Sequence, residues 1–319
     1  MVRRILAAAL FLAMLAFAAR GENFPSRPIH IIVPQVPGGG NDIVARLLQP
    51  RLQAAFGVPI VIENRSGASG VMGSDAVAKA APDGYTLGIT FATFTVNPAV
   101  NAHMPFDTEH DLTPVILVGK NPLLFLLNAK LPAKTLPEFI ALARANPGKF
   151  NYATPGAASQ AHLLMASLCR LAGIEMQHLP YRGGAPAILA TVSGEAQLAV
   201  ISPLASNAQI AAGTLRPIAT GSVTRDSQFP DLPTVGETFP GFEAVAWVGI
   251  FTTAGTPRPA INKLNATIER VIREPDIAAK LDQQGVTVTG GTPEQFGALI
   301  SSEIKRYTEI ARINHITAE

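Results

Sequence analysis

Short β-branched runs alternate with stretches of helical apolar spacing along most of this chain. The first run, Ile29 to Val33, has the length and composition of a strand, and Pro34 and Pro37 stop it. Gly38, Gly39 and Gly40 follow, then Asn41 and Asp42, which are good N-cap residues. Ile43, Val44, Leu47, Leu48 and Leu52 then recur on one face of a predicted helix, with Gly57 as its C-terminal stop. Pro50 falls inside that pattern, and a kink is expected there because proline removes a helical hydrogen bond. A second strand is expected over 58–63, a short helix over 71–80 and a third strand over 85–90.

Strand, helix, strand, helix, strand in this order argues for a parallel sheet covered by helices, an α/β architecture. Residues 97–113 are polar and turn-rich, and two apolar runs follow at 114–119 and 123–128. The alternation then restarts. Helices are expected over 136–145, 160–171 with Ser159 as its cap, 183–191 and 204–211. The strands between them are expected at 150–153, 174–179, 197–201 and 215–220. The apolar run 245–251 carries the only tryptophan, Trp247, and helices over 259–273, 275–284 and 293–314 close the chain. Two α/β units with facing loops suggest a cleft between lobes, with the runs near 114–124 and 243–251 crossing between them.

Ligands of parallel sheets bind beyond the carboxyl ends of the strands. The loops 34–41, 65–70 and 91–95 would share one such rim in the first unit. Glycines before a helix let backbone N–H groups approach a ligand, and the helix N-terminus favours negative charge. The turn at Gly38–Gly40 therefore reads as an anion pocket, most simply for a carboxylate; the competing reading is glycine used for turn geometry alone. No Lys-Ser/Thr follows these glycines and position 43 is not glycine, so neither nucleotide-binding fingerprint is present. Arg182 is a candidate bidentate partner for a carboxylate, against the alternative of a solvated arginine. His162, in the first turn of its predicted helix, reads as a packed or capping histidine rather than a ligand contact.

Composition narrows the class further. The chain has 319 residues, 48% of them hydrophobic, and a net charge of +2 without basic runs, so nucleic acid is not an expected partner. Arg3 and Arg4 precede an apolar stretch ending near Ala16-Phe17-Ala18, the layout of a cleaved signal peptide, expected over residues 1–21. Cys169 is the only cysteine, so no internal disulfide forms, and it reads as a buried, inert thiol. The six histidines show no metal-ligand spacing and no G-x-S-x-G nucleophile elbow occurs. No catalytic set, metal or cofactor is therefore expected, although a triad assembled in space is not visible in sequence.

An ordered set of short motifs spans nearly the whole chain after residue 23. It includes Phe24-Pro-Ser-Arg-Pro28, Ile31-Ile-Val-Pro34 with Pro37-Gly-Gly39 and Asp42, Val61-Ile-Glu-Asn-Arg65, Gly67-Ala-Ser-Gly70 and Pro82-Asp-Gly-Tyr-Thr-Leu87. Asn151-Tyr-Ala153, Pro180-Tyr181, Leu232-Pro-Thr-Val235, Ala254-Gly-Thr-Pro257 and Gly291-Thr-Pro293 continue it. In this set the chain resembles the Bug (TctC-like) periplasmic solute receptors of tripartite tricarboxylate transporters. The resemblance implies a two-lobed type II periplasmic-binding-protein fold with a ligand cleft between lobes. It places residues 22–121 and 244–319 in lobe 1 and residues 122–243 in lobe 2.

It further implies a periplasmic, monomeric receptor that captures a small carboxylate and passes it to the membrane subunits of the transporter. A periplasmic enzyme acting on a carboxylic acid or ester, or a carboxylate sensor for a signalling partner, are the alternatives. Carried over by position, the first-lobe contacts are Pro37, Gly38, Gly39, Gly40, Asn41, Asp42, Ser69, Gly70 and Thr93. Those of the second lobe are Gly156, Ala157, Ser159, Tyr181 and Ser202, to which Arg182 is added from its own chemistry. Gln197 and Ser202 stand where many relatives carry aspartate, and Arg182 where lysine is common. An ammonium-bearing ligand would lack its carboxylate partner here.

Overall fold

The computed structural model describes residues 24–226 and 229–318; the expected signal peptide lies outside them. The first α/β series comprises β1 (Ile29–Val33), α1 (Gly40–Phe56), β2 (Ile60–Asn64), α2 (Val71–Ala78), β3 (Thr86–Phe91), α3 (Thr93–Val100) and β4 (Leu112–Pro122). The second comprises β5 (Leu124–Asn128), α4 (Leu136–Arg144), β6 (Phe150–Thr154), α5 (Gln160–Ala172), β7 (Met176–Pro180), α6 (Gly184–Ser193), β8 (Leu198–Ile201), α7 (Pro203–Ala211) and β9 (Leu215–Thr220). The chain ends through α8 (Val235–Thr238), β10 (Val245–Thr253), α9 (Arg258–Ile272), α10 (Pro275–Gln283), β11 (Thr287–Val288) and α11 (Pro293–Asn314).

These strands form two sheets, of order β11-β4-β10-β3-β1-β2 and β7-β6-β8-β5-β9. In the first sheet β1 lies between β2 and β3, parallel to both, and β10 pairs antiparallel with β3 and β4. Each sheet carries its own buried apolar cluster, around Ile31, Val33, Leu87 and Ile250 in one and around Phe125, Leu163, Leu198 and Val200 in the other. The two α/β units anticipated from the alternating pattern are thus two sheet-centred lobes.

The chain crosses between the sheets at two adjacent points. Leu123, between β4 and β5, accepts from Gly221 N (2.8 Å) and donates its own N–H to Ala244 O (3.0 Å). Ala244 N in turn donates to Gly221 O (2.8 Å), so a three-residue backbone ladder forms the crossing. Gly221 is required by close approach: a Cβ there would meet Ala244 O at 2.3 Å. A third tie is α11, whose Tyr307 and Ala311, with Ile316 beyond its end, join the second lobe's apolar cluster. Phe296 and Ile300, earlier in α11, pack with Phe94, Trp247 and Phe251 in the first lobe.

One local expectation differs from the structure, while α1 runs through Pro50 as one helix of 17 residues. Pro50 lies on its exposed side, where water can serve the carbonyl that lacks a helical partner. Residues 93–100, read in part as polar loop, form α3. Its sequence, TFTVNPAV, is rich in β-branched residues and contains Pro98, so local propensity argues against a helix. Burial of Phe94, Val96 and Val100 overrides that preference.

Candidate functional site

The loop after β1 is built by hydrogen bonds that its own sequence supplies. Asp42 Oδ2 accepts from Gly38 N (2.9 Å), Asp42 Oδ1 from Asn64 Nδ2 (2.9 Å), and both oxygens from Arg46 Nε (2.9 Å each). The hydrogen bond from Arg46 holds the Asp42 carboxyl down at about 2, against the opposing effect of burial. Gln35 Oε1 accepts from Asn41 N (3.0 Å) and Val36 O from Gly39 N (3.1 Å). Three amides of the turn are therefore engaged within the loop, whereas no such bond engages Gly40 N–H among the described residues. Gly38 takes φ +80°, the left-handed conformation that glycine permits. At Gly40 a Cβ would meet the Phe91 ring at 2.9 Å.

Two adjoining cavities open between the lobes. The larger, of about 630 Å³, is bounded by Gly39, Gly40, Phe91, Thr93 and Asn121 from the first lobe and by Ser159, Gln160, Gly183, Gly184 and Ser202 from the second, among others. The smaller, of about 320 Å³, is bounded by Gln35, Asn41, Ser69, Gly70 and Thr93 on one side and by Gly156, Ala157 and Ser159 on the other. Six helices begin on these walls: α1, α2 and α3 from the first lobe, and α5, α6 and α7 from the second. Only α5 has a side-chain cap, with Ser159 accepting from His162 N; the N-termini at Gly39, Gly70, Ala92, Gly183 and Ser202 have none. Uncapped N–H groups at a helix start attract anions. No charged side chain lines either cavity among the described residues.

The second-lobe wall rests on a stacked pair of histidines. The rings of His162 (α5) and His178 (β7) lie 3.7 Å apart at 16°, and His178 stacks on Tyr152 at 5.0 Å. His178 Nε2 bonds Thr154 Oγ1 (2.7 Å), and His162 Nδ1 accepts from Ala158 N (3.1 Å). The pair thereby grips both ends of the loop that carries Gly156 and Ala157. Burial lowers both rings to about 4, and the nearby His162 adds to the effect on His178. Cys169, two turns after His162 in α5, has its thiol pushed up to about 12 by burial.

Of the residues singled out in the sequence, Gly39, Gly40, Thr93, Ser159 and Ser202 border the larger cavity. Asn41, Ser69, Gly70, Gly156 and Ala157 border the smaller, which Thr93 and Ser159 share. Pro37, Gly38, Asp42, Tyr181 and Arg182 border neither. Asp42 is buried under the loop it braces, Tyr181 packs against the cluster around Leu124 and Ala187, and Arg182 is exposed. Sequence reasoning missed Gln35, Asn121, Gln160 and Gln284. Gln35 was findable, since it follows β1 by two residues on the same rim. Asn121 sits within an apolar strand, and nothing local marks it.

A cleft between two α/β lobes, entered by helix N-termini from both and floored by crossing strands, defines the class of two-lobed solute-binding receptors. The sequence matches the family described as "Tripartite tricarboxylate transporter family receptor" over residues 44–316, and the chain belongs to that family. It is 35% identical over 317 residues to BugT of Bordetella pertussis, covering 98% of this chain and 97% of that one. A Rhodopseudomonas palustris protein solved with adipate superposes with a TM-score of 0.81 at 31% identity, covering 92% of this chain and 99% of that one. MatC of the same organism, solved with bound malate, superposes at 0.76 with 31% identity over 90% of this chain and 99% of that one. No helix among the described residues is long and apolar enough to cross a membrane.

Proposed function

We propose that this protein captures a small carboxylate in the cleft between its lobes, in the periplasm, and delivers it as a monomer to the membrane subunits of a tripartite tricarboxylate transporter. The observation that carries this reading is the convergence of six helix N-termini, three from each lobe, on cavities lined by neutral groups. Helix termini and backbone amides stabilise a carboxylate without a buried arginine, and bridging waters extend their reach. The adipate and malate complexes of the two R. palustris relatives support the ligand class.

The contacts assigned are the backbone at Gly39, Gly40, Gly70, Gly156 and Ala157, and the side chains of Ser69, Thr93, Ser159 and Ser202. Gln35 is added as a neutral donor through its Nε2. Asp42 positions the first loop from behind, and the His162–His178 stack positions the second. Because each wall belongs to a different lobe, a bound carboxylate has more partners in the closed state and draws the lobes together.

Thermal-shift and calorimetric titration of the purified protein against mono-, di- and tricarboxylates tests the reading. A ligand that binds only the folded state raises the melting temperature by mass action. Saturable binding without consumption of the acid is expected. Turnover of the acid, or no binding by any class after removal of co-purified ligand, refutes it.

A further inference from the structure

Gln160, the first residue of α5, borders the larger cavity and is only 8% exposed. Its Nε2 donates to Val245 O (2.9 Å) and to Tyr307 OH (2.7 Å). A backbone carbonyl can only accept, so this amide cannot be turned over without setting two acceptors against each other. Its Oε1 is therefore fixed as the free end, and no hydrogen bond reaches that oxygen among the described residues. Tyr307 is itself held by Arg306 NH2 (3.0 Å), which keeps the arrangement rigid. Asn121 borders the same cavity, lies opposite Ala246, the neighbour of Val245, and is buried with its Oδ1 unpartnered among the described residues. Two nearly buried amides with unanswered carbonyl oxygens thus stand beside the crossing strands, in a cleft whose helix N-termini offer donors.

We infer that Gln160 is a specificity-determining residue whose Oε1 accepts from a hydroxyl of the ligand, so that the preferred carboxylate is a hydroxy acid. This rests on the receptor reading above. With the cleft open, water serves this oxygen. A ligand that displaces the water without bringing a donor leaves Oε1 unpaired and loses affinity. A carboxylate cannot take the water's place there, because its oxygens only accept. A hydroxyl can, and its own oxygen is free to accept from the Asn121 amide. An ammonium would also donate, but among the described residues no acidic side chain lines either cavity to balance its charge. Gln160 directly follows Ser159, which borders both cavities, so the hydroxyl belongs close to a carboxylate, as in a 2- or 3-hydroxy acid. The number of carboxylates is a separate matter, since helix N-termini on both walls can serve more than one.

The test is calorimetric titration of the purified protein with pairs matched in carboxylate number: lactate and propionate, malate and succinate, citrate and tricarballylate. In whichever pair binds, the hydroxy acid is expected to bind at least about tenfold tighter. Gln160→Met keeps the side chain's length and removes its amide. A purely structural effect through Val245 and Tyr307 would weaken both members of a pair alike, whereas loss of the acceptor brings their ratio to about one. A wild-type ratio near one overturns the inference whether or not the variant folds. So does a ratio unchanged in Gln160→Met, or aspartate binding as tightly as malate. Each of these outcomes leaves the receptor reading standing, whereas failure of every acid to bind removes that reading and this inference with it.

Discussion

The stacked histidines make stability depend on pH in a range where most side chains do not titrate. Both rings are held near 4 in the folded protein, against an ordinary 6.5. Between those values the unfolded chain takes up protons that the folded chain refuses, so stability falls as pH drops from 6.5 toward 4 and is fully present above 6.5. Full burial would make a shift of this size worth about 3 kcal/mol per ring. The rings are half-buried and water screens part of that, leaving about 1–2 kcal/mol each. Urea unfolding at pH 7 and pH 5 is the assay. Wild type is expected to lose about 2 kcal/mol between them. Asp42 and Glu237, held near 2, lose their contributions only at lower pH. His178→Phe keeps a stacked ring and is expected to halve the loss; pairing it with His162→Phe removes it. A double variant that keeps the wild-type pH dependence would refute the assignment to these rings.

Gly39→Asp is expected to abolish carboxylate binding. Its Cβ would meet Gln35 Oε1 at 2.8 Å, displacing the amide that accepts from Asn41 N, and its charge opposes an anion at the α1 terminus; unchanged affinity by calorimetry would take that loop out of the site. Gly221→Val is expected to cost about 3 kcal/mol in urea unfolding, because its Cβ would meet the Ala244 carbonyl in the crossing ladder. A loss under about 0.5 kcal/mol would mean the crossing relaxes freely. Glu303→Leu orphans the indole N–H of Trp247, at about 1–3 kcal/mol, while Thr95 Oγ1 keeps its bond to Ala92 O (2.8 Å); Glu303→Gln keeps an acceptor and most of the stability. Trp247 emission should shift in the leucine variant and hold in the glutamine one; equal stability of the two would refute the account.

The alternation of β-branched runs with helical spacing was enough to reveal two α/β series, because each strand and helix buries one continuous apolar face. The rim loops were legible for a related reason: proline, glycine and capping residues mark strand ends and helix starts locally. What escaped was set at a distance. The helix at Thr93–Val100 exists because Val96 and Val100 find apolar partners in the second lobe's cluster and Phe94 finds them around Trp247, against the grain of its own sequence. The β11 strand at Thr287–Val288 is two residues long and defined only by pairing with Lys120 and Gly119. His162 read locally as a packed helix residue, and its stacking on His178 depends on how α5 lies over β7. Asp42 illustrates a subtler limit: the motif located it at the site, but only geometry shows its carboxylate turned into the loop that it braces.

The C-terminal helix explains how a two-lobed receptor stays coherent around a crossing of only two strands. Glu303 is buried in the first lobe, where one oxygen accepts from Trp247 Nε1 (2.7 Å) and Thr95 Oγ1 (2.8 Å), and Thr95 belongs to the helix that begins on the cleft wall. One turn later Tyr307 accepts from Gln160, which borders the cleft on the other lobe, and Arg306 NH2 bonds the same hydroxyl at 3.0 Å. Arg306 also faces Glu303 at 3.7 Å and Glu243 at 3.8 Å, beside the second crossing. Burial raises the Glu303 carboxyl while Trp247, Thr95 and Arg306 oppose that rise. Such a network is costly to leave half-satisfied, so its geometry is narrowly held. It ties α3, from the first lobe, and Gln160, from the second, to a single helix.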